Sequence, residues 1–403
     1  MNNNINFKLK INYKVYNILI ILFTMGICLL FIEYLHDGIK INNLFSNMLI
    51  NSYYFTIVSL FGIMFYSIQY ISMASWSVIL LRISHMFMFL YPIFSTILLL
   101  VIIYGLFSNI LYFNWSNIEL LDIKSINYDL IIAQKNIFLN KKFFIVRIIL
   151  YLLFWFFFIF KINQINNFCQ KYNKINYFNI NLKYSAMFCF VFGFTFPLFA
   201  IDVIMSLEPH WFSTIFGWYN LSLLWISGLS FITILTILVK YNNDCFAFNE
   251  NHLNDLATYI FAFSIFWVYI LISQNLLIWY SNIPEEIIWY QTRWLGGYYK
   301  LYIINIIMNF MVPFFFLIRK QFRRNYKIVS LVCISLILGH WLDIYIMISP
   351  GVIGKFYKIG LVEIGMFMMF FSMFFILILK KLEKIDIYTK KHPYLSNSIK
   401  HEI

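Results

Sequence analysis

Charged residues are scarce in this chain. Only 12% of its 403 residues are Asp, Glu, Lys or Arg, whereas 62% are hydrophobic, and the mean hydropathy is +0.77. A soluble protein of this length requires a polar surface that so few charges cannot supply. The composition therefore excludes a soluble globular enzyme. It predicts an integral membrane protein, because uncharged runs of about 18 or more residues are typical of membrane-spanning helices.

Cysteine is equally sparse, and its spacing excludes several cofactors. The chain has no CxxC pair, no CxxCH motif for covalent haem and no His/Cys cluster with zinc spacing. We therefore expect this chain itself to bind no haem, metal, flavin or iron–sulfur cluster. The five cysteines are interpreted as isolated small residues: Cys28, Cys169, Cys189, Cys245 and Cys333.

Acidic residues are outnumbered by basic ones, 17 to 30, which gives a net charge of +13. Such an excess can indicate nucleic-acid binding. Here the lysines are scattered over connections and tails and form no patch with interleaved aromatic residues. We expect no nucleic-acid partner, because a basic excess in a helical membrane protein usually reflects topology.

Ten apolar runs separated by polar breaks predict an all-α protein with ten membrane spans. The N-terminal MNNNINFKLK lacks a small-residue cleavage site, which favours a retained first helix over a signal peptide. We expect one integral membrane domain over residues 1–379, a C-terminal tail over 380–403 and room for a short interfacial helix in 108–142. The predicted spans are 15–35, 53–73, 86–107, 143–163, 184–205, 214–239, 257–280, 299–318, 327–349 and 357–379.

An even number of spans places both termini on the same side of the membrane. The termini and the even-numbered connections hold 20 of the 30 Lys and Arg residues. By the positive-inside rule, both termini are then cytoplasmic. Three stretches consequently face outside: SLEPHWFSTIFGWY (206–219), SNIPEEIIWYQTRWLGGYY (281–299) and the end of the ninth span.

Three ionisable residues lie within predicted spans near the outer surface. A carboxylate such as Asp202 costs ~2.5–3.5 kcal/mol at the bilayer centre, so it either bonds to a neighbouring helix or serves as a protonatable station. His340 and Asp343 are three residues apart and share a helix face. An Asp that accepts a hydrogen bond from an imidazole orients the ring and raises its pKa. This pair is interpreted as a proton relay, as hydrogen-bond donors to a quinone, or as a structural pair. We predict that all three form one protonatable pocket.

The stretch between the fifth and sixth spans has a local explanation for most of its polar residues. Ser206 is a suitable N-cap, and Glu208 and Pro209 suit the first turn of the sixth span. This explanation leaves His210 without a role.

Tryptophan is concentrated in the same part of the chain, with seven of eleven tryptophans between Trp211 and Trp294. Trp211, Trp218 and Trp225 recur every seven residues, which predicts a shared helix face. Such a face is more typical of packing or an interfacial belt than of a cofactor site.

Charged residues recur in the next external connection, where Glu285, Glu286 and Arg293 lie among aromatic residues. Taken alone, they are typical of an interfacial salt bridge. On the opposite face, two pairs are candidates for the far end of a proton path or for solvated loop residues: Arg82 with His85, and His252 with Asp255. We expect an outward-facing cluster of Glu208, His210, Glu286, Arg293 and Asp343.

Three long strings carry a resemblance to one family. AIDVIMSLEPHWFSTIFGWY, FAFSIFWVYILISQNLLIWYSNIPEEIIWYQTRW and GHWLDIYIMISPG resemble the ActF-type membrane subunit of alternative complex III, a bacterial quinol:cytochrome c oxidoreductase. The resemblance extends to ASWSVILLR, IFLNKKFFIVR and the tail KHPYLSNSIKHEI. The ActF and ActC subunits are related to the NrfD/polysulfide-reductase anchors.

The resemblance implies a double four-helix bundle plus two additional helices in a bacterial inner membrane. It implies multihaem cytochrome and iron–sulfur partner subunits that carry the electrons, and a sister NrfD-like subunit that is the better candidate for the working quinol pocket. This chain would then be a scaffold with a proton half-channel or a quinone site. Two cytoplasmic segments depart from the family pattern: Leu81, Arg82 and His85 replace paired arginines followed by an acid, and Ala257-Thr258 replaces a Gly-Lys pair.

Two alternative functions remain open from the sequence. One is a secondary transporter, although no pair of Gly/Pro-interrupted spans recurs in matching halves. The other is the membrane anchor of a polysulfide-reductase-like enzyme.

Overall fold

The chain is a multi-pass helical membrane protein. The computed structural model describes residues 11–36, 38–172, 175–243, 246–354, 359–386, 388 and 392–401, so Cys245 lies outside the described residues. Ten helices within these residues are long and apolar enough to cross a membrane, which confirms the predicted number of spans. They are numbered α1 Tyr13–His36, α2 Ile41–Ile71, α3 Leu81–Phe107, α4 Lys141–Tyr172, α5 Ile175–Val203, α6 Phe216–Asn242, α7 Glu250–Ser281, α8 Tyr299–Leu317, α9 Tyr326–Val352 and α10 Leu361–Leu382.

The helices form two groups of four and one additional pair. Helices α2 to α5 pack together as one group, α6 to α9 pack as the second, and α1 packs along α10. The two groups join where α2, α6 and α9 pack against one another. The apolar stretches of these helices are the most deeply buried, at 94% for α2, 83% for α6 and 78% for α9, whereas only 11% of the apolar stretch of α1 is buried. The all-α class and the expected arrangement of two four-helix groups with two extra helices are confirmed.

The two ends of the assembly differ in their connections. One end carries the connections 108–140, 204–215 and 282–298, which contact one another, and is called the loop face. The opposite end carries the beginning of α1 and the end of α10, which meet where the Ile11 amide donates to Glu383 (3.3 Å) just after α10. This end is called the terminal face.

Helix α2 begins at Ile41, twelve residues before the predicted start at 53, because its polar first half is buried inside the protein. Asn47 donates to Glu363 of α10 (2.9 Å), and Asn51 donates to the Asn47 carbonyl oxygen (2.9 Å). Such residues lower local hydropathy without breaking the helix when neighbouring helices satisfy them.

Helix α10 also differs from its prediction, since it begins at Leu361 and continues to Leu382, past the expected start of the tail at 380. The Glu363 carboxylate fixes its beginning by accepting a hydrogen bond from the Gly360 amide (2.7 Å). The connection 108–140 contains the short helices Phe113–Ser116 and Leu130–Lys135, as its length had suggested.

Helices α1 and α10 approach closely through two glycines. A Cβ atom on Gly26 would lie 2.7 Å from the Gly365 carbonyl oxygen, and one on Gly365 would lie 2.9 Å from the Gly26 carbonyl oxygen. Small residues at such a crossing allow the backbones to touch, which is a common mode of packing in membranes.

We predict that Gly26→Ala destabilises the protein by about 1–3 kcal/mol, because the added methyl group forces the two helices apart. The matched control is Gly193→Ala on α5, where an added Cβ meets nothing within 4 Å. The control should be neutral or stabilising by about 0.5–1 kcal/mol, the usual gain of Ala over Gly in a helix. Melting temperatures of both variants in the same detergent test this, and equal shifts would contradict the close approach.

Candidate functional site

A buried polar site of the second helix group centres on Asp343 of α9, which is 2% exposed. Its carboxylate accepts hydrogen bonds from the Tyr219 hydroxyl (2.7 and 2.8 Å), the Trp267 indole (3.1 Å) and the Asn305 amide (2.9 Å). All three donors are neutral. Among the described residues, the acid is therefore hydrogen-bonded to neutral groups and not to a cation.

The local backbone of α8 positions Asn305. Helix α8 contains a π-helical turn over Ile307–Met311, and Pro313 just beyond it has no amide to donate into the preceding turn. Asn309, on this turn, donates to the Asn305 side-chain oxygen (2.6 Å). A Cβ atom on Gly339 would lie 2.2 Å from the Asn309 side-chain oxygen, so only glycine lets α9 approach this turn.

His340 lies beside Asp343 but is not its hydrogen-bond donor. Its Nδ1 atom is 3.9 Å from the Asp343 Oδ2 atom, beyond hydrogen-bond range, and the edge of its ring meets Trp267 (5.8 Å between ring centres). The ring is fully buried, and neither nitrogen has a hydrogen-bond partner among the described residues. The prediction that His340 donates a hydrogen bond to Asp343 is therefore wrong. Tyr219 and Trp267 donate to the Asp343 carboxylate instead. A buried polar group without a partner is rare enough to need an explanation.

A small cavity of ≈ 20 Å³ adjoins Asp343 and is lined also by Tyr219, Gln274, Arg293 and Tyr302. About 10–15 Å³ is enough for one water molecule, whereas drug-sized ligands need hundreds. The cavity thus fits water between Arg293 and Asp343 and is far too small for a quinone ring.

Arg293 closes the loop-face side of this cavity and is 1% exposed. Its guanidinium donates to Glu208 (2.6 Å) and to the carbonyl oxygens of Ile346 (3.1 Å) and Met347 (3.1 Å). The Ile346 carbonyl is available because Pro350, four residues later on α9, has no amide to bond with it. The proline thereby creates the acceptor that holds the arginine.

Two tryptophans extend the Arg293 contact across the loop face. The guanidinium lies over the Trp289 ring (3.9 Å to its centre), and Trp211 stacks on the other side of that ring (4.0 Å, 6° between planes). Trp289 belongs to the loop helix Pro284–Trp294. The predicted helix face of Trp211 with Trp218 and Trp225 is wrong, because α6 begins only at Phe216.

The residues before α6 also depart from their predicted roles. A 3-10 turn, Met205–Leu207, extends α5, and within it the Ser206 hydroxyl donates to the Asp202 carbonyl oxygen instead of capping α6. Pro209 lies outside a helix, where its carbonyl oxygen accepts a hydrogen bond from Lys135 (2.6 Å). Burial lowers the pKa of Lys135, an effect that Glu285 and then Asp129 oppose. Tertiary partners therefore hold this stretch as an irregular loop.

Asp202 occupies a different environment from Asp343. Arg147 of α4 forms a two-pronged pair with it, from Nε to Oδ2 (2.9 Å) and from Nη2 to Oδ1 (2.9 Å), and its Nη1 atom donates to the Phe138 carbonyl oxygen (2.8 Å). The rings of Phe138 and Phe143 cover the guanidinium (3.7 and 4.4 Å). Such a pair satisfies both charges and supports the structural reading of Asp202.

The expected joint pocket of Asp202, His340 and Asp343 is not formed. Asp202 lines a cavity of ≈ 410 Å³ that shares no lining residue with the Asp343 cavity. The two acids have no hydrogen-bond partner in common. The reason is that Asp202 faces α4 within the first helix group, whereas Asp343 faces α6, α7 and α8 within the second.

The predicted outward cluster forms in part. Glu208 and Arg293 bond directly, and Arg293 and Asp343 line the same cavity. His210, by contrast, pairs with Asp129 (3.0 Å) at the surface. Glu286 lies half-buried in the first turn of the loop helix, and none of the bonds described above reaches it.

The sequence did not predict four residues that bind the two buried acids. Arg147 binds Asp202, and the donors to Asp343 are Tyr219, Trp267 and Asn305. The scarcity of arginine, with six in the chain, was the available signal for Arg147. The other three are ordinary residues in apolar helices, and only the packing of α6, α7 and α8 around α9 reveals them.

At the terminal face, the two suggested pairs are also rearranged. The His85 ring bonds to Asn166, and Asp255 bonds to His401 of the C-terminal tail (2.8 Å). His252 bonds instead to the Asn249 side chain (2.6 Å) and to the Ser398 carbonyl oxygen (3.0 Å), so it does not pair with Asp255.

Arg82 and the tail residue His392 also lie at this face. Arg82 lies in the first turn of α3, and its Nε atom has no hydrogen-bond partner among the described residues. Burial lowers the pKa of His392 to about 4, so that ring is neutral at physiological pH. No group of three His, Cys, Asp or Glu side chains in the described ranges is placed to hold a metal ion.

The fold and this site define a polytopic helical membrane protein with a buried carboxylate that is hydrogen-bonded to neutral donors. Among models of known protein families and among curated proteins, none matches the chain.

We predict that Arg293→Lys destabilises the protein on the order of 2–3 kcal/mol, because an ammonium group cannot reach Glu208 and the two α9 carbonyls together. Arg323→Lys is the matched control, since Arg323 makes one long bond, to the Thr258 hydroxyl (3.2 Å). Its cost should stay within about 0.5 kcal/mol. Thermal unfolding in detergent compares them, and equal stability of the two variants would contradict the role of Arg293.

We predict that Asp202→Asn costs about 3–5 kcal/mol, because it leaves the buried Arg147 guanidinium without its counter-charge. The double variant Arg147→Met/Asp202→Leu removes both charges and should recover most of that loss. Melting temperatures of the single and double variants provide the test. An Asp202→Asn protein as stable as wild type would show that the pair is not structural.

Proposed function

We propose that this chain is an ActF-type membrane subunit of a respiratory quinol:cytochrome c oxidoreductase and that Asp343 exchanges protons with the loop face. The assignment to this complex rests on the long sequence strings that resemble the ActF family. The proton role rests on one observation, a buried carboxylate that is bonded only to neutral donors and adjoins a water-sized cavity.

Neutral donors are what distinguish Asp343 as a proton-exchanging group. A carboxylate bonded to a guanidinium is stabilised as an anion, whereas one bonded to hydroxyl, indole and amide groups can exist in either form. The Tyr219 hydroxyl can rotate from donor to acceptor when Asp343 carries a proton. Ionisable groups inside membrane helix bundles commonly mark proton or substrate paths.

The route to the surface passes through Arg293 and Glu208. Glu208 has 25% of its side chain exposed, whereas Arg293 is buried between Glu208 and the cavity. The guanidinium pairs with Glu208 and lines the cavity beside Asp343 without a hydrogen bond to that acid among the described residues. His340, whose two ring nitrogens have no hydrogen-bond partner in the part of the chain that the structure describes, is the proposed next acceptor on the inner side of Asp343.

In the proposal, quinol oxidation takes place on another subunit of the complex. The cavity beside Asp343 has room for a water molecule but is too small for a quinone ring. In the proposal, this chain is a cofactor-free scaffold and proton half-channel beside a sister NrfD-like subunit. Cytochrome and iron–sulfur subunits dock on the loop face, which the distribution of basic residues orients to the outside. A polysulfide-reductase-like anchor would share this proton chemistry, and the identity of the co-purifying subunits separates the two.

We predict that Asp343→Asn assembles into the complex but lowers quinol:cytochrome c turnover, or the proton movement coupled to it, at least tenfold. An amide preserves the shape and some hydrogen bonds but cannot exchange a proton. The assay is cytochrome c reduction by a soluble quinol, with proton release followed in proteoliposomes.

The matched control is Glu363→Gln, which neutralises an equally buried carboxylate of α10 outside the proposed route. It should retain turnover and proton movement in an assembled complex. Wild-type values of both quantities in an assembled Asp343→Asn complex would refute the proton role.

A further inference from the structure

An open groove runs between α1, α6 and α9 at the terminal face and has a volume of ≈ 410 Å³. Helix α1 packs along α10 at Gly26, and at its beginning the Asn12 amide donates to the Asn242 side chain of α6 (3.1 Å). Its walls are aliphatic and are formed by Val15, Ile18, Ile234, Ile237, Leu238 and Ile334.

The groove changes from apolar to polar along its length. Its mouth is lined by Asn12, Lys14, Tyr241, Asn242 and Ser330. From Asn242 to Ile234 the helix rises about 12 Å, which is most of the ~15 Å half-thickness of a bilayer core. The aliphatic part therefore matches the acyl-chain region of one leaflet, and the polar mouth matches its headgroup region.

The charge at the mouth is positive. None of the described residues that line the groove is acidic. Lys327 lies one turn before Ser330 on the same face of α9. The side-chain amines of Lys14 and Lys327 form no ion pair within the described part of the chain, whereas Lys240 already donates to the Phe246 carbonyl oxygen (2.8 Å).

We propose that this groove binds an anionic phospholipid, with one acyl chain along the aliphatic walls and its phosphate between Lys14 and Lys327. The length of the apolar walls fits an acyl chain, and the two unpaired amines fit a negative headgroup. Basic residues at a membrane surface favour anionic lipids by ~1 kcal/mol each. This inference does not depend on the proposed function.

Native mass spectrometry of the intact protein in a mild detergent tests the proposal. After delipidation, phosphatidylglycerol and phosphatidylcholine are added back at equal concentrations. Wild type should retain one phosphatidylglycerol several-fold more tightly than phosphatidylcholine. Lys14→Gln/Lys327→Gln should abolish this preference, and Ile334→Trp, which fills the groove, should remove the bound lipid of either kind.

Leu331→Trp is the control for Ile334→Trp, because it adds the same ring to an exposed position of α9 that does not line the groove. It should bind lipid as wild type does. Equal binding of the two lipids by wild type, or retention of lipid by Ile334→Trp, would overturn the proposal. A cross-link from residue 18 to another protein subunit in the intact membrane would likewise overturn it, since a protein helix would then fill the groove.

Discussion

The absence of water from a membrane interior constrains every polar group of this protein. A buried charge or amide that finds no partner there costs several kcal/mol, which favours pairing with another part of the chain. Arg293 shows how one such pairing organises the loop face. It binds Glu208 before α6, Trp289 of the loop helix and the end of α9, so that a single guanidinium joins two connections and a membrane helix. The Asp343 cavity lies directly beneath it and depends on its position.

Two acids in similar sequence settings illustrate how tertiary partners decide chemistry. Asp202 and Asp343 each lie seven residues before a proline, near the loop-face ends of α5 and α9. Arg147 approaches Asp202 from α4, and aromatic rings seal that pair. Around Asp343 the neighbouring helices supply only neutral donors and a space for water. The first arrangement favours a fixed charge, and the second favours the proton exchange proposed for this site.

Hydropathy was sufficient to predict ten helices and their order, because membrane spans need long apolar runs whatever their neighbours are. It failed at the beginning of α2, where asparagines are satisfied by another helix, and before α6, where Lys135 and Arg293 hold an irregular loop. Composition also identified Asp202, His340 and Asp343 as unusual. It could not pair them, because residues such as Arg147 and Asn305 become partners only when helices distant in sequence are packed together. Sequence reasoning thus found the acids but not their environments.

Infrared difference spectroscopy of the intact complex during quinol oxidation tests the central proposal most directly. With isotopically labelled aspartate, a protonation change at Asp343 gives a carboxyl C=O band that shifts with the label. The proposal predicts such a band in wild type, its loss in Asp343→Asn and its persistence in the double variant that lacks the Arg147–Asp202 pair. A spectrum without a labelled carboxyl band, or a band that survives in Asp343→Asn, would contradict it.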